Sequence, residues 1–201
     1  MRTRTMLLPL FLLFGCGTEE SNLTSVVERN QTPSNFTYEI NQIWDEMELS
    51  HFNELQPGCH PVKIESNKNV SQKGLIILLH RYSACPQQYD ELAPRLSNAG
   101  YDVLIPLYPD HGVKPLNINP RIDNTDMVPK AATMWKSFRN DINRLAESYN
   151  GKRSLKGLSM CTNIALSAYL KRPDLYSNVV AVSPKLKNES SFIHGIFKNN
   201  I

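Results

Sequence analysis

Residues 153–170 read RSLKGLSMCTNIALSAYL, and their reading decides the fold. SLKGLS is a short strand. MCTNIALSAYLKR is a helix that Pro173 ends. Ser159 falls at the junction, inside Gly157-Leu158-Ser159-Met160-Cys161, one residue short of a G-x-S-x-G pattern. On a tight strand-to-helix turn a side chain is lifted clear of the sheet, near the positive end of the helix, where developing negative charge is favoured. Glycines flank such a turn because a Cβ would clash where strand and helix cross. Gly157 supplies one of them, and Cys161 replaces the other with a small side chain, at the cost of some crowding. The five residues alone also fit a serine that merely caps its helix.

The segments around this stretch alternate in type. GLIILLH (74–80) is a continuous apolar run and predicts a buried parallel strand. PQQYDELAPRLSNAG (86–100) carries Tyr89, Leu92 and Leu96 at helical spacing. Gly100 stops that helix, and Pro94 kinks it or starts its second half. YDVLIPLY (101–108) is a second buried strand. TMWKSFRNDINRLAESYNG (133–151) places Trp135, Phe138, Ile142, Leu145 and Tyr149 on one helical stripe, read as core. SNVVAVSP (177–184) is a fourth strand. Strands alternating with long helices predict an α/β fold with a mostly parallel sheet covered on both faces.

In such a sheet, functional groups gather beyond the carboxyl ends of the strands. Three segments fall there: His80-Arg81-Tyr82-Ser83, Tyr108-Pro109-Asp110-His111-Gly112, and the turn at Ser159. Their order along residues 70–187 resembles the α/β-hydrolase superfamily. The esterase, lipase and monoacylglycerol-lipase-like members are most similar, with an H-G-F motif, a G-H-G loop and a G-L-S-M-G elbow. The resemblance implies a partial α/β-hydrolase fold and a serine hydrolase of carboxylic esters, acting on a small ester or lipid-like substrate without cofactor or metal. Ser159 would be its nucleophile. The backbone N–H groups of Met160 and Tyr82 would form the oxyanion hole, His80 would shape the oxyanion loop, and His111 would brace the loop after the second strand.

Two positions depart from that pattern. Arg81 stands where the family has the Gly of H-G-F, so a side chain sits where the Tyr82 amide must be aimed. In this fold the acid and the base follow the nucleophile on loops after later strands. The only Asp and His beyond Ser159 are Asp174 and His194. Asp174 follows the helix and is expected at the far edge of the sheet, and no strand fixes His194. The expectation is therefore an incomplete hydrolase domain, residues 37–201, with the last strands missing and the acid and base absent from this chain. Its fourth strand would keep a bare edge open to self-association.

The amino terminus, MRTRTMLLPLFLLFGC, has Arg2 and Arg4, an apolar run from Met6 to Phe14, and a cysteine where that run ends. This is the layout of a secretory signal, too short to span a bilayer as a mature helix. Leu13-Phe14-Gly15-Cys16 resembles the lipobox of bacterial lipoproteins, which implies a signal peptide over 1–15 and lipidation at Cys16. The protein would then be exported and held on the outer membrane or cell surface through lipid. Residues 16–36 are polar and read as a flexible tether. Without the two leader arginines, the 22 basic residues become 20 against 19 acidic ones. That balance and the scattered lysines and arginines exclude a nucleic-acid partner.

Cys59, Cys85 and Cys161 remain, enough for one bridge. Cys59–Cys85 is the expected pair, since both flank the first clear strand while Cys161 begins a helix. No C-x-x-C or H-x-x-x-H spacing suggests zinc. A non-catalytic lipoprotein reusing the scaffold is the competing reading, motivated by Arg81 and Cys161.

Overall fold

The computed structural model describes residues 34–49, 55–109, 111–112 and 127–184. Five strands form one sheet: β1 (Val62–Ile64), β2 (Gly74–Leu79), β3 (Tyr101–Ile105), β4 (Arg153–Leu158) and β5 (Asn178–Val182). Their spatial order is β1-β3-β2-β4-β5, and every pairing is parallel except that of β1 with β3. This is the α/β architecture, mostly parallel and of the α/β-hydrolase kind, that the sequence predicts. The 74–80 and 153–158 segments lie side by side, with Leu75 opposite Arg153 and Leu79 opposite Gly157.

Among the described residues four helices flank the sheet: α1 (Tyr38–Leu49), α2 (Leu92–Asn98), α3 (Met127–Glu147) and α4 (Thr162–Lys171). Alternation along the strands sorts the core into two layers. Leu75, Ile77, Leu79, Leu104 and Leu155 face one way, against Ile40 and Trp44 of α1, Phe138, Ile142 and Leu145 of α3, and Ile164 and Ala165 of α4. Leu78, Val103 and Ile105 face the other way, against Tyr89 and Ala93. The stripe from Trp135 to Tyr149 is core throughout.

Several boundaries differ from the sequence reading. Pro94 does not kink a long helix, because residues 86–89 form a separate 3-10 turn and α2 starts at Leu92 with Pro94 in its first turn. That turn has no use for a proline N–H, so the ring is tolerated there. The second strand ends at Ile105, before Pro106. Helix α3 spans 127–147 rather than 133–151, and β1 and α1 were not anticipated. The tether does not run to residue 36. Phe36 is only 5% exposed within the core, and Asn35 bonds Ser66 and Asp102, so packing already includes residues 34–36. The leader, Cys16 and His194 lie outside the described residues.

Candidate active site

Strand order places the site. From β2 the chain moves to β3 by way of α2 on one face. It then crosses back past β2 to β4 by way of α3 on the other face, and continues outward to β5. Connections therefore leave β2 and β4 in opposite directions, which opens a crevice beyond their carboxyl ends. The Ser159 turn and the loop at 80–82 both border it.

At Ser159 β4 becomes helix. Leu158 is still extended, with φ −117° and ψ 133°, whereas Ser159 takes φ 58°. A left-handed conformation costs a non-glycine residue on the order of 1–3 kcal/mol and persists only where its surroundings enforce it. Those surroundings are tight. A Cβ at Gly157 would lie 2.6 Å from the Thr162 Cα and 2.9 Å from the Cys161 carbonyl oxygen, so only glycine fits. The buried Thr162 hydroxyl lies 3.1 Å from the Gly157 carbonyl and 3.3 Å from that of Val182, tying α4 to the ends of β4 and β5. Ser159 is not a helix cap: Leu158 and Cys161 hold the cap positions, with no side-chain cap bond. The serine is half-buried, and among the described residues its hydroxyl makes no hydrogen bond.

Cys161, by contrast, has φ −74° and ψ −7°, ordinary helical values. This position needs no glycine. Its side chain is buried in the core layer beside Tyr108, where burial pushes the thiol up to about 12. It is a packed, protonated thiol.

In the 80–82 loop nearly every backbone polar group is taken. The Tyr108 hydroxyl donates to the His80 carbonyl at 2.8 Å. The Arg81 N–H donates to Gln88 Oε1 at 3.0 Å. The Arg81 carbonyl accepts from the Ala84 N–H at 2.9 Å and lies 2.9 Å from His80 Nδ1. The Tyr82 carbonyl is bonded by His111 Nε2. Among the described residues the Tyr82 N–H makes no hydrogen bond. Arg81 projects its side chain to solvent, away from this network.

His80 is fully buried, and desolvation drives its pKa down to about 4, so the ring is neutral. With Nδ1 donating to the Arg81 carbonyl, Nε2 is left as a buried atom without a partner. The ring is enclosed by the core, with its one hydrogen bond among the described residues made to the Arg81 carbonyl. His111 packs its ring 4.8 Å from that of Tyr82, 5.3 Å from Tyr108 and 6.1 Å from Trp135.

The bridge Cys59–Cys85 is formed. Beside it Gln87 and His60 exchange two hydrogen bonds, at 2.9 and 3.2 Å, and Gln56 bonds the Gly112 carbonyl at 2.6 Å. The loops before β1, after β2 and after β3 are thus laced into one unit. Asp174 lies elsewhere. It precedes β5, at the amino edge of the sheet, and pairs with Arg172 at 2.8 Å. Among the described residues no histidine bonds a carboxylate. A cavity of about 340 Å³ between α1 and the β1–β3 side is lined by Trp44, Met47 and Leu107, and neither Ser159 nor Tyr82 reaches it. Among the described residues no helix is long and apolar enough to cross a membrane, and no cluster of His, Cys, Asp or Glu could hold a metal.

Sequence reasoning missed Tyr108, Gln88 and Thr162. Each is a polar residue whose importance lies in a carbonyl or N–H brought to it by another segment, and no periodicity marks that.

A family model described as "Putative esterase" matches residues 140–199, from the second half of α3 past the Ser159 turn. Among solved structures, one from work on LipS and LipT, two metagenome-derived lipolytic enzymes, is similar with a TM-score of 0.51. It is 23% identical over 69% of this chain and 51% of its own. TT1662 from Thermus thermophilus is similar with a TM-score of 0.48 and 18% identity, over 71% of this chain and 63% of its own. The chain thus spans about half the length of the first of these structures. No curated protein matched the sequence.

Proposed function

We propose that this chain is part of a serine hydrolase that cleaves carboxylic esters. Ser159 attacks the carbonyl carbon, and the resulting oxyanion is held by the N–H groups of Met160 and Tyr82. One observation carries the reading: a serine at φ 58° whose hydroxyl makes no hydrogen bond among the described residues, on a turn where Gly157 admits no side chain. A helix N-cap would not need that strain. The match of residues 140–199 to an esterase model supports the same chemistry.

Met160 stands in the first turn after Ser159, where backbone N–H groups lack intrahelical acceptors. Each oxyanion donor of this kind is worth about 2.7–4 kcal/mol in the transition state. A serine hydroxyl also needs a general base. His80 is too deeply buried for that task, His111 is engaged with the carbonyls of Pro109 and Tyr82, and His60 lines the cavity that Ser159 does not reach. The base and its carboxylate therefore come from outside the described residues. Without them, oxyanion donors and binding still give about 10³–10⁴-fold acceleration over water.

An activity-based fluorophosphonate probe tests this directly. The full chain is expected to be labelled slowly, with the adduct at Ser159 by mass spectrometry, and the Ser159→Ala variant not at all. Absence of an adduct at Ser159, or equal labelling of the variant, would leave the competing reading: a non-catalytic scaffold. The specific observation favouring that reading is Arg81 in the loop that aims the Tyr82 amide.

The remaining expectations belong to the same proposal. Cys16, acylated after export, anchors the chain to the bacterial envelope. The β5 edge, where Val180 is 47% exposed and which pairs only with β4 among the described residues, is where another chain would add.

A further inference from the structure

We infer that Tyr108 is a positioning residue for ester hydrolysis, holding the start of the 80–82 loop from the core so that the Tyr82 N–H stays aimed at the oxyanion. The inference rests on the serine-hydrolase reading and deepens it.

Tyr108 holds the start of the 80–82 loop from within the core. It is fully buried, and its ring lies 4.1 Å from that of His80 and 5.3 Å from that of His111. Its hydroxyl donates to the His80 carbonyl at 2.8 Å, because a carbonyl can only accept. Tyr108 and Cys161, two residues beyond Ser159, belong to the same buried core layer, so the carbonyl that opens the oxyanion loop is fixed to the layer in which the Ser159 turn is rooted.

Arg81 explains the need. Where a glycine would let the loop settle freely, this chain fixes the loop from outside: His80 by Tyr108, the Arg81 N–H by Gln88, and the Tyr82 carbonyl by His111. The ring of Tyr108 is braced by Trp135 at 5.4 Å and Phe138 at 5.1 Å, so removal of the hydroxyl leaves a phenylalanine ring the same packing. A displacement of the Tyr82 amide would weaken an interaction made in the transition state and leave ground-state binding unaltered.

The test compares the wild-type chain with Tyr108→Phe and with Tyr149→Phe. The second variant removes an equally buried hydroxyl at the other end of the sheet, bonded to Asp102 at 2.6 Å. The readouts are the fluorophosphonate labelling rate at Ser159, kcat and KM for p-nitrophenyl acetate, and thermal stability. Tyr108→Phe is expected to lower the labelling rate and kcat about tenfold, the equivalent of one hydrogen bond, with KM unchanged. Tyr149→Phe is expected to lower stability and leave both rates unchanged. Equal rates in wild type and Tyr108→Phe, or an equal loss of rate in both variants, would overturn the positioning role alone. A wild-type chain that neither reacts at Ser159 nor turns over would overturn the hydrolase reading, and this inference with it.

Discussion

Gly157 and Cys161 occupy the two small-residue positions around Ser159 and obey different constraints. At Gly157 a Cβ would meet backbone, the Thr162 Cα at 2.6 Å, with no flexible side chain to move aside. At Cys161 the dihedrals suit any residue, and the side chain fills a gap in the core. A substitution should therefore be felt at the first position even when it adds a single methyl group. Gly157→Ala is expected to destabilise the fold by about 1–3 kcal/mol, the usual range for overpacking, seen as a lower urea midpoint. It should also slow any reaction at Ser159, since the turn must open to admit the methyl group. An unchanged midpoint would mean that the turn is looser than the geometry describes.

At the scale of elements, the loops beyond the strands are held by side chains and a covalent bridge rather than by secondary structure. Cys59 and Cys85 are 26 residues apart and tie the approach to β1 to the loop after β2. Closing a loop of that length removes about 3 kcal/mol of unfolded-state freedom. Gly112 packs against the same bridge, since a Cβ there would lie 2.4 Å from the Cys59 sulfur, and φ +69° already favours glycine. Reduction, or replacement of both cysteines by serine, is expected to lower stability by a few kcal/mol. Faster hydrogen exchange should then appear at 80–85 and 108–112 before it appears in β2 or β4. Exchange rising uniformly through the sheet would contradict a local role for the bridge.

The whole molecule carries buried titratable groups at both ends of the sheet. His80, beyond the carboxyl end of β2, is held neutral by burial with a pKa near 4. Between the ordinary value of about 6.5 and about 4 the unfolded chain takes up a proton that the folded chain refuses, so stability falls as the pH falls through that window. Asp102, at the start of β3, is also buried. Burial opposes its charge, but the Tyr149 hydroxyl, the Ser66 N–H, Asn35 and Gln72 donate to it and together hold the carboxyl below its usual value. These bonds join residues 34–36, the segment before β2 and the end of α3. Their contribution is present above the ordinary carboxylate range and is lost as the pH falls below it. The urea midpoint is accordingly expected to decline from about pH 6.5 to about 4 and to fall further below that. A flat profile down to pH 4 would show that His80 is protonated in the folded state.

The sequence by itself determined the α/β class, the four parallel strands, the core stripe of α3 and the place of Ser159 on a strand-to-helix turn. Each of these is written in local spacing: apolar runs, helical periodicity, and Gly157 two residues before Ser159. Tertiary structure alone decided that Ser159 is left-handed rather than a cap, that Cys161 needs no glycine, and that Asp174, expected at the far edge of the sheet, is paired there with Arg172. It also decided that β1 adds an antiparallel edge, and that Tyr108, Gln88 and His111 leave the Tyr82 N–H unclaimed among the described residues. The division has one physical cause. Periodicity records which face of an element is buried, whereas a hydrogen bond between loops after different strands depends on strand order, and no short stretch of sequence contains strand order.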